Sequence, residues 1–373
     1  MKIINTSVSL IKWPFTLPVE HSLARNTATE NLIVKLTDEN GLTGYGEGIP
    51  RDYVTGETKS AALEGLKTSL LPLILDHEFD PDQAFGFLKN NLPSEQIDKC
   101  PSAACAVELA LLDLAGQING VPVSRLMGQP SEKELVYTAV IPVTNPKDLE
   151  LILSYIHTLQ VREIKAKVGL KGDLDFISFL REAVGPEVKL RVDANGAWTA
   201  KTAVRKIKEM EEFGITSVEQ PVAKNDIQGL AQVKSEVEAL VLADESACTP
   251  EEVRCLIKAE AVDGFNLRLS KNGGPARTLD VFNMAQKAGL VCQLGCQVGE
   301  LGILSAAGRH FASTRPELIH LEGSLTRFFL AQDIIDENLS PGLFGKAPPL
   351  TKPGLSVTVR ESAPAGCHLF TLP

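Results

Sequence analysis

From about Val136 onward the chain keeps an even beat. Short runs rich in β-branched and apolar residues alternate with amphipathic helical patterns, and eight such runs occur: VYTAVIPV, EIKAKVGL, KLRVDAN, SVEQP, LVLADES, GFNLRLS, LVCQLGC and ELIHLEG. Lys167 to Asp193 and Asp193 to Glu219 each span 26 positions, Glu219 to Asp244 spans 25, and Asp244 to Arg268 spans 24. About 25 residues suits one strand, one helix and two short loops. Eight units this even predict an α/β fold of the (β/α)8 TIM-barrel type, because a doubly wound sheet rarely repeats so regularly. The residues themselves do not repeat at this period, so the regularity is architectural and not that of a solenoid.

The chain before the beat reads differently. Strand-like alternation at Ile3 to Trp13 and Asn31 to Thr37, the turn Asp38-Glu39-Asn40-Gly41 and the run Leu42 to Glu47 predict a β-meander. Helical patterns follow at about Lys59 to Asp76, Pro81 to Asn91 and Pro101 to Ile118, the last small, apolar and expected to be buried. The predicted organisation is an α+β capping domain over 1–125, a barrel over 126–324, and a Pro-rich segment over 325–373 that packs back on the cap. At 373 residues the chain has the length for a large barrel with a smaller partner.

Composition narrows the function classes. A chain 44% hydrophobic and 23% charged is globular. Its formal net charge of −10 disfavours nucleic acid, which needs clustered Lys and Arg, but leaves an anionic small molecule open, since a few local cations override the global field. The seven cysteines lack zinc-site partners and read as small buried hydrophobes in a reducing compartment. The start, MKIINTSVSLIKWPF, lacks a signal-peptide core, and no run approaches the roughly 20 apolar residues of a membrane span. The expectation is a cytoplasmic protein without nucleic-acid or membrane partners.

In a barrel, the carboxyl ends of the strands converge on one mouth. Asp193, Glu219 and Asp244 end the third, fourth and fifth runs in succession. Three adjacent strands delivering one carboxylate each suit a hard divalent ion, Mg²⁺ or Mn²⁺ in its place. The alternative is that strand-end acids only cap the helices that follow. Lys165 and Lys167, two apart at the end of the second run, share a face. Side by side and near a divalent ion they are expected to push one another toward the neutral amine, a usable general base. The sixth run supplies Arg268, which can orient or neutralise but cannot give up its proton, and Lys271 just beyond it. Candidate substrate contacts are Asn195, Gln297, Glu300, His320 and Glu322, the last two on one face of the eighth run; Arg25 and Tyr53 in the capping domain join them.

Taken together, GYGEGIP and YVTGET in the first domain with KAK, RVDANGAW, VEQP, LADES and the GG after the sixth run resemble the enolase superfamily, in its muconate-lactonizing subgroup. The resemblance covers nearly the whole chain. It implies that Asp193, Glu219 and Asp244 hold a metal that binds the substrate carboxylate. It also implies that Lys167 moves the α-proton through an enolate, and that loops at 15–27 and 49–58 close over the substrate. Large barrels of this family commonly form homo-oligomers. Two departures stand out. Members that racemise with two bases carry Lys where this chain has Arg268, and the dipeptide epimerases carry Asp-x-Asp where it has His320 and Glu322. The expected activity is therefore a cycloisomerase-like isomerisation with Lys167 as single acid/base. Alternatives are a syn-dehydratase or lyase (o-succinylbenzoate-synthase-like or acting on sugar acids), an epimerase recruiting Lys271, and a non-catalytic binding protein.

Overall fold

The computed structural model describes residues 1–21, 24–142, 145–324, 326–362 and 368–372, with side chains at all of these except 17–21, 24–26 and 327. The first domain is built on an antiparallel sheet in the order His368–Leu372, Ile3–His21, Ala24–Asp38, Thr43–Gly48. Its turn follows from local chemistry. Asp38 Oδ1 accepts the N–H groups of Asn40 at 3.0 Å and Leu42 at 2.7 Å, and Gly41 takes φ +82°, open to glycine at no steric cost.

The strand Thr43–Gly48 lies directly on the helix Pro101–Ile118. A Cβ at Gly44, Gly46 or Gly48 would fall 2.3, 1.8 or 2.0 Å from the carbonyl oxygens of Ala110, Ala106 and Ser102. The spacing explains the pattern. Two strand residues advance about 6.8 Å and four helix residues about 6 Å, so every second glycine meets every fourth carbonyl. This helix is the one described element long and apolar enough to cross a membrane, and it is buried against the sheet instead. Gly46→Ala is expected to lower the unfolding free energy by about 1–3 kcal/mol or more through overpacking. Gly308→Ala, whose added Cβ would meet Leu294 Cδ2 at an ordinary 3.9 Å, is expected to be neutral or to gain up to about 1 kcal/mol of helix propensity. Urea denaturation of the two variants checks the contrast.

The second sheet is parallel throughout. Its strands are Ala139–Ile141, Glu163–Lys167, Lys189–Asp193, Ile215–Glu219, Leu240–Ala243, Gly264–Leu267 and Val291–Leu294, each beside the next in sequence. The eighth run contributes a short bridge. Ile319 and Glu322 donate to the carbonyls of Cys292 and Leu294, at 2.9 and 2.8 Å, and Thr138 donates to Leu321 O at 2.8 Å. The last run thus joins the seventh strand to the first, and the barrel closes as its spacing predicts. Helices follow the strands, from Pro146–Thr158 to Gly302–Ser313.

Carboxylates of the first domain hold the barrel's upper rim. Glu47 accepts the N–H groups of Leu301 at 2.7 Å and Leu304 at 2.9 Å, at the start of helix Gly302–Ser313. Glu108 accepts those of Gly86 at 3.0 Å and Ala276 at 3.3 Å, the latter at the start of helix Pro275–Lys287. Unpaired N–H groups at helix starts suit such acceptors. Gly274 (φ +106°) stands so close that a Cβ there would meet Glu108 Oε2 at 2.1 Å. From the other end of the chain, Leu355 N–H donates to Asp113 at 2.8 Å, and His368–Leu372 extends the cap sheet.

Candidate active site

The strand register places the charged residues of the barrel interior in rows. Lys165 pairs with Arg191 and Lys167 with Asp193, and Asp193 in turn pairs with Glu219. Asp193, Glu219 and Asp244 are fully buried, and none caps the helix after it; those caps are Thr199, Asp226 and Thr249. Each acid instead meets a cation. Lys167 Nζ donates to Asp193 Oδ2 at 2.6 Å and to Asn195 Oδ1 at 2.8 Å. Glu219 accepts from Lys165 Nζ at 3.0 Å, Gln293 Nε2 at 2.6 Å and Asn266 Nδ2 at 2.7 Å. Arg268 Nη2 spans the Asp244 carboxylate and Glu219 Oε1.

These partners set the charge states. Burial alone would raise Glu219, but Lys165 and Arg268 bring it well below the usual carboxylate range. Burial raises Asp193, and the neighbouring Glu219 charge adds to the rise. Lys165 departs from the expectation of a neutralised amine. Burial would lower it, yet Glu219, Glu322 and Asp193 together raise it, so it stays an ammonium. Its three carboxylate neighbours outweigh burial and the like charge of Arg191.

A cavity of about 70 Å³ opens above this network at the carboxyl ends of the strands. Lys165, Lys167 and Asn195 line one side, and Arg268, Gln297, Glu300 and Glu322 line others, with Tyr53 of the first domain among them. In a closed ring of eight, the second strand faces the sixth, so Lys167 and Arg268 stand on opposite walls. Glu322 is spoken for: Arg191 Nη2 donates to it at 2.6 Å and Lys165 Nζ at 2.9 Å. Glu300 is different. Burial and the charges of Glu47 and Glu322 push its carboxyl up to about 8, leaving it protonated at neutral pH.

Two sequence candidates lie elsewhere. Lys271 does not line the cavity; it is wholly buried, and its ammonium donates to Asp244 Oδ1 at 3.0 Å, Asp244 O at 2.9 Å and Asn266 O at 2.6 Å. An ammonium has three donors, and all three are used. His320 shares a face with Glu322 but lies two residues lower in the barrel. There its Nδ1 sits 2.9 Å from Glu163 Oε2, away from the cavity. The side chain of Arg25 lies outside the described residues. Glu245 and Ser305 line the cavity without having been singled out from sequence. Glu245 carries a buried oxygen without a hydrogen-bond partner, and burial with the Asp244 and Asp193 charges pushes it up to about 7. Its place beside Asp244 in LADES was the available signal.

No group of three or more His, Cys, Asp or Glu among the described residues is drawn together as a metal centre; Lys167, Lys165 and Arg268 hold the three acids instead. The donor chemistry nonetheless fits a hard divalent ion. Asp193, Glu219 and Asp244 supply oxygen alone from successive strand ends, and Glu245 adds an unpartnered buried carboxylate oxygen.

Comparison with known proteins places the chain in a family and a fold. Residues 3–128 match the family described as mandelate racemase / muconate lactonizing enzyme, N-terminal domain, and residues 149–363 match the enolase C-terminal domain-like family. A hydrophobic dipeptide epimerase of Enterococcus faecalis is 31% identical over 85% of this chain and 88% of its own length. Muconate cycloisomerase 1 of Acinetobacter baylyi is 26% identical over 94% of this chain and 95% of its own. The crystal structure of the dipeptide epimerase from Enterococcus faecalis V583 with Mg and L-Leu-L-Tyr superposes with a TM-score of 0.86 at 29% identity, covering 96% of this chain and 100% of that one.

Proposed function

Because this chain belongs to the mandelate racemase / muconate lactonizing enzyme family of the enolase superfamily, we propose that it is a Mg²⁺-dependent isomerase that moves a proton on the carbon α to a substrate carboxylate, with Lys167 as its one acid/base. The observation that carries the reading is the pair of opposite walls: a lysine on the second strand and an arginine on the sixth. Lys167 gives and takes the proton on one face of the α-carbon. Arg268 keeps its proton and steadies negative charge from the other face. Lys165 stays cationic beside Glu219 and Glu322 and adds positive field under the developing enolate. Asp193, Glu219 and Asp244 would hold the metal, with Glu245 at hand. A bound Mg²⁺ supplies Lewis-acid stabilisation of the carboxylate as its second charge develops.

Epimerisation is supported as an alternative by the dipeptide epimerase among the relatives, but Lys271 would not be its second base, since that ammonium has no free donor and no face on the cavity. Dipeptide recognition of the Asp-x-Asp kind is likewise disfavoured, because Glu322 is already shared by Lys165 and Arg191 and His320 by Glu163. One observation favours a lyase as the second reading. A protonated Glu300 on the cavity wall can donate to a departing group.

The test is exchange in heavy water. A panel of carboxylates is incubated with enzyme and Mg²⁺, and loss of the α-proton signal and the product configuration are followed by NMR. Exchange with retained configuration is expected, chelation should stop it, and Mg²⁺ should restore it. Racemised product would sink the single-base assignment. On the lyase reading, kcat/KM of the wild type should fall as pH rises through about 8, where Glu300 ionises. Glu300→Gln, which cannot ionise, should lack that limb in a profile taken from about pH 6 to about pH 10.

A further inference from the structure

We propose that the substrate carries a long uncharged apolar substituent that runs from the catalytic cavity between Val140 and Phe329 into a second cavity behind the first barrel strand. The assignment rests on the carboxylate reading above and names the other end of the molecule. The catalytic cavity, about 70 Å³, carries Lys167, Arg268, Glu300 and Glu322 on its walls. The second cavity is larger, about 250 Å³, where by the same measure one water needs roughly 10–15 Å³. Val140 and Phe329 line both cavities, so the two are neighbours through a shared wall.

The chemistry of the second cavity is one-sided. Leu151, Ile152, Tyr155 and Ile156 reach it from helix Pro146–Thr158, and Phe328 and Phe329 face them. Those four helix positions fall at i, i+1, i+4 and i+5, which is one face. Among the described residues no Lys, Arg, Asp, Glu or His lines the space, so these walls offer nothing to a charged group and cost nothing to an alkyl or aryl one. Leu151 and Tyr155 are 48% and 46% exposed, an uncovered apolar face on a helix whose buried side chains are Leu153 and Ile156. A chain passing Val140 and Phe329 would cover that face while its carboxylate remains between Lys167 and Arg268.

The probe is a series of straight-chain saturated carboxylates, from butanoate to dodecanoate, titrated calorimetrically into the Mg²⁺-loaded protein. Affinity is expected to rise about three- to fourfold per added methylene once the chain passes Phe329. Ile152→Trp, which fills the second cavity from the helix side, should flatten that slope. Ala139→Leu does the same from the strand side and serves if the first variant fails to fold. A flat series in wild type overturns the proposal, and so does an unchanged slope in both variants. Dodecan-1-ol binding without displacing hexanoate would mean that the cavities are not joined, and overturns it too. If sedimentation shows either variant dissociating an oligomer, the face belongs to a second copy of this chain and the proposal falls. The two readings fail separately. Exchange of an α-proton without a chain-length slope removes only this one, and a slope without exchange in any carboxylate removes only the catalytic one.

Discussion

Lys167→Ala should abolish incorporation of solvent deuterium at the substrate α-carbon, lowering kcat by about 10²–10⁴-fold, the range a positioned general base contributes. The geometry makes the prediction specific. Both lysines line the cavity, but Lys167 meets one acid, Asp193, at 2.6 Å, whereas Lys165 is tied to three carboxylates. Removing Lys167 takes away the proton carrier and leaves the Lys165 network standing. The measurement is NMR exchange at saturating Mg²⁺, with circular dichroism to confirm the fold. Exchange persisting within tenfold of wild type would show that another group carries the proton. Arg268→Lys is the companion. It places a titratable amine on the opposite wall, and appearance of the inverted product would show that Arg268 restricts exchange to one face.

Lys271→Met should act on stability. The substitution removes an ammonium that satisfies Asp244 Oδ1 and two main-chain carbonyls with no water in reach. Breaking a buried pair from one side costs about 3–5 kcal/mol, because the remaining charge stays buried and uncompensated. The expected result is a large drop in the urea midpoint and, since Asp244 loses its orientation, weaker Mg²⁺ binding, with single-face exchange retained by whatever protein stays folded. A variant of wild-type stability that had lost exchange would instead place Lys271 at the reacting centre. Asp244 also meets Arg268, so the effects of changing Lys271 and Arg268 should not add.

How far the chain could be read in advance varied with the range of the interaction concerned. The barrel was legible because its signal is local and repeated. Strand, helix and loop lengths are set by backbone geometry, and they recur from Lys167 to Arg268 at nearly constant spacing. The eighth run was the weak point, since Ile319 to Glu322 makes only a short bridge to its neighbours. Which residues approach the mouth was legible as far as the period-two rule reaches. That rule set Glu322 and His320 on one face but could not say that two residues of height put one at the cavity and the other against Glu163.

By itself, then, the sequence determined the succession of strands and helices and the order in which Lys167, Asp193, Glu219, Asp244 and Arg268 arrive at one rim, because those depend on spacing along the backbone. Only the tertiary structure decided their pairings. Lys165 remains charged because three carboxylates from other strands surround it, Lys271 is withdrawn from chemistry because Asp244 and Asn266 take its donors, and Glu300 is pushed up to about 8 by desolvation and the charges of Glu47 and Glu322. The glycines of Thr43–Gly48 likewise acquire their meaning from a helix more than fifty positions away. Charge state and close packing depend on neighbours in space, and the chain chooses those only when it closes into the barrel and its cap.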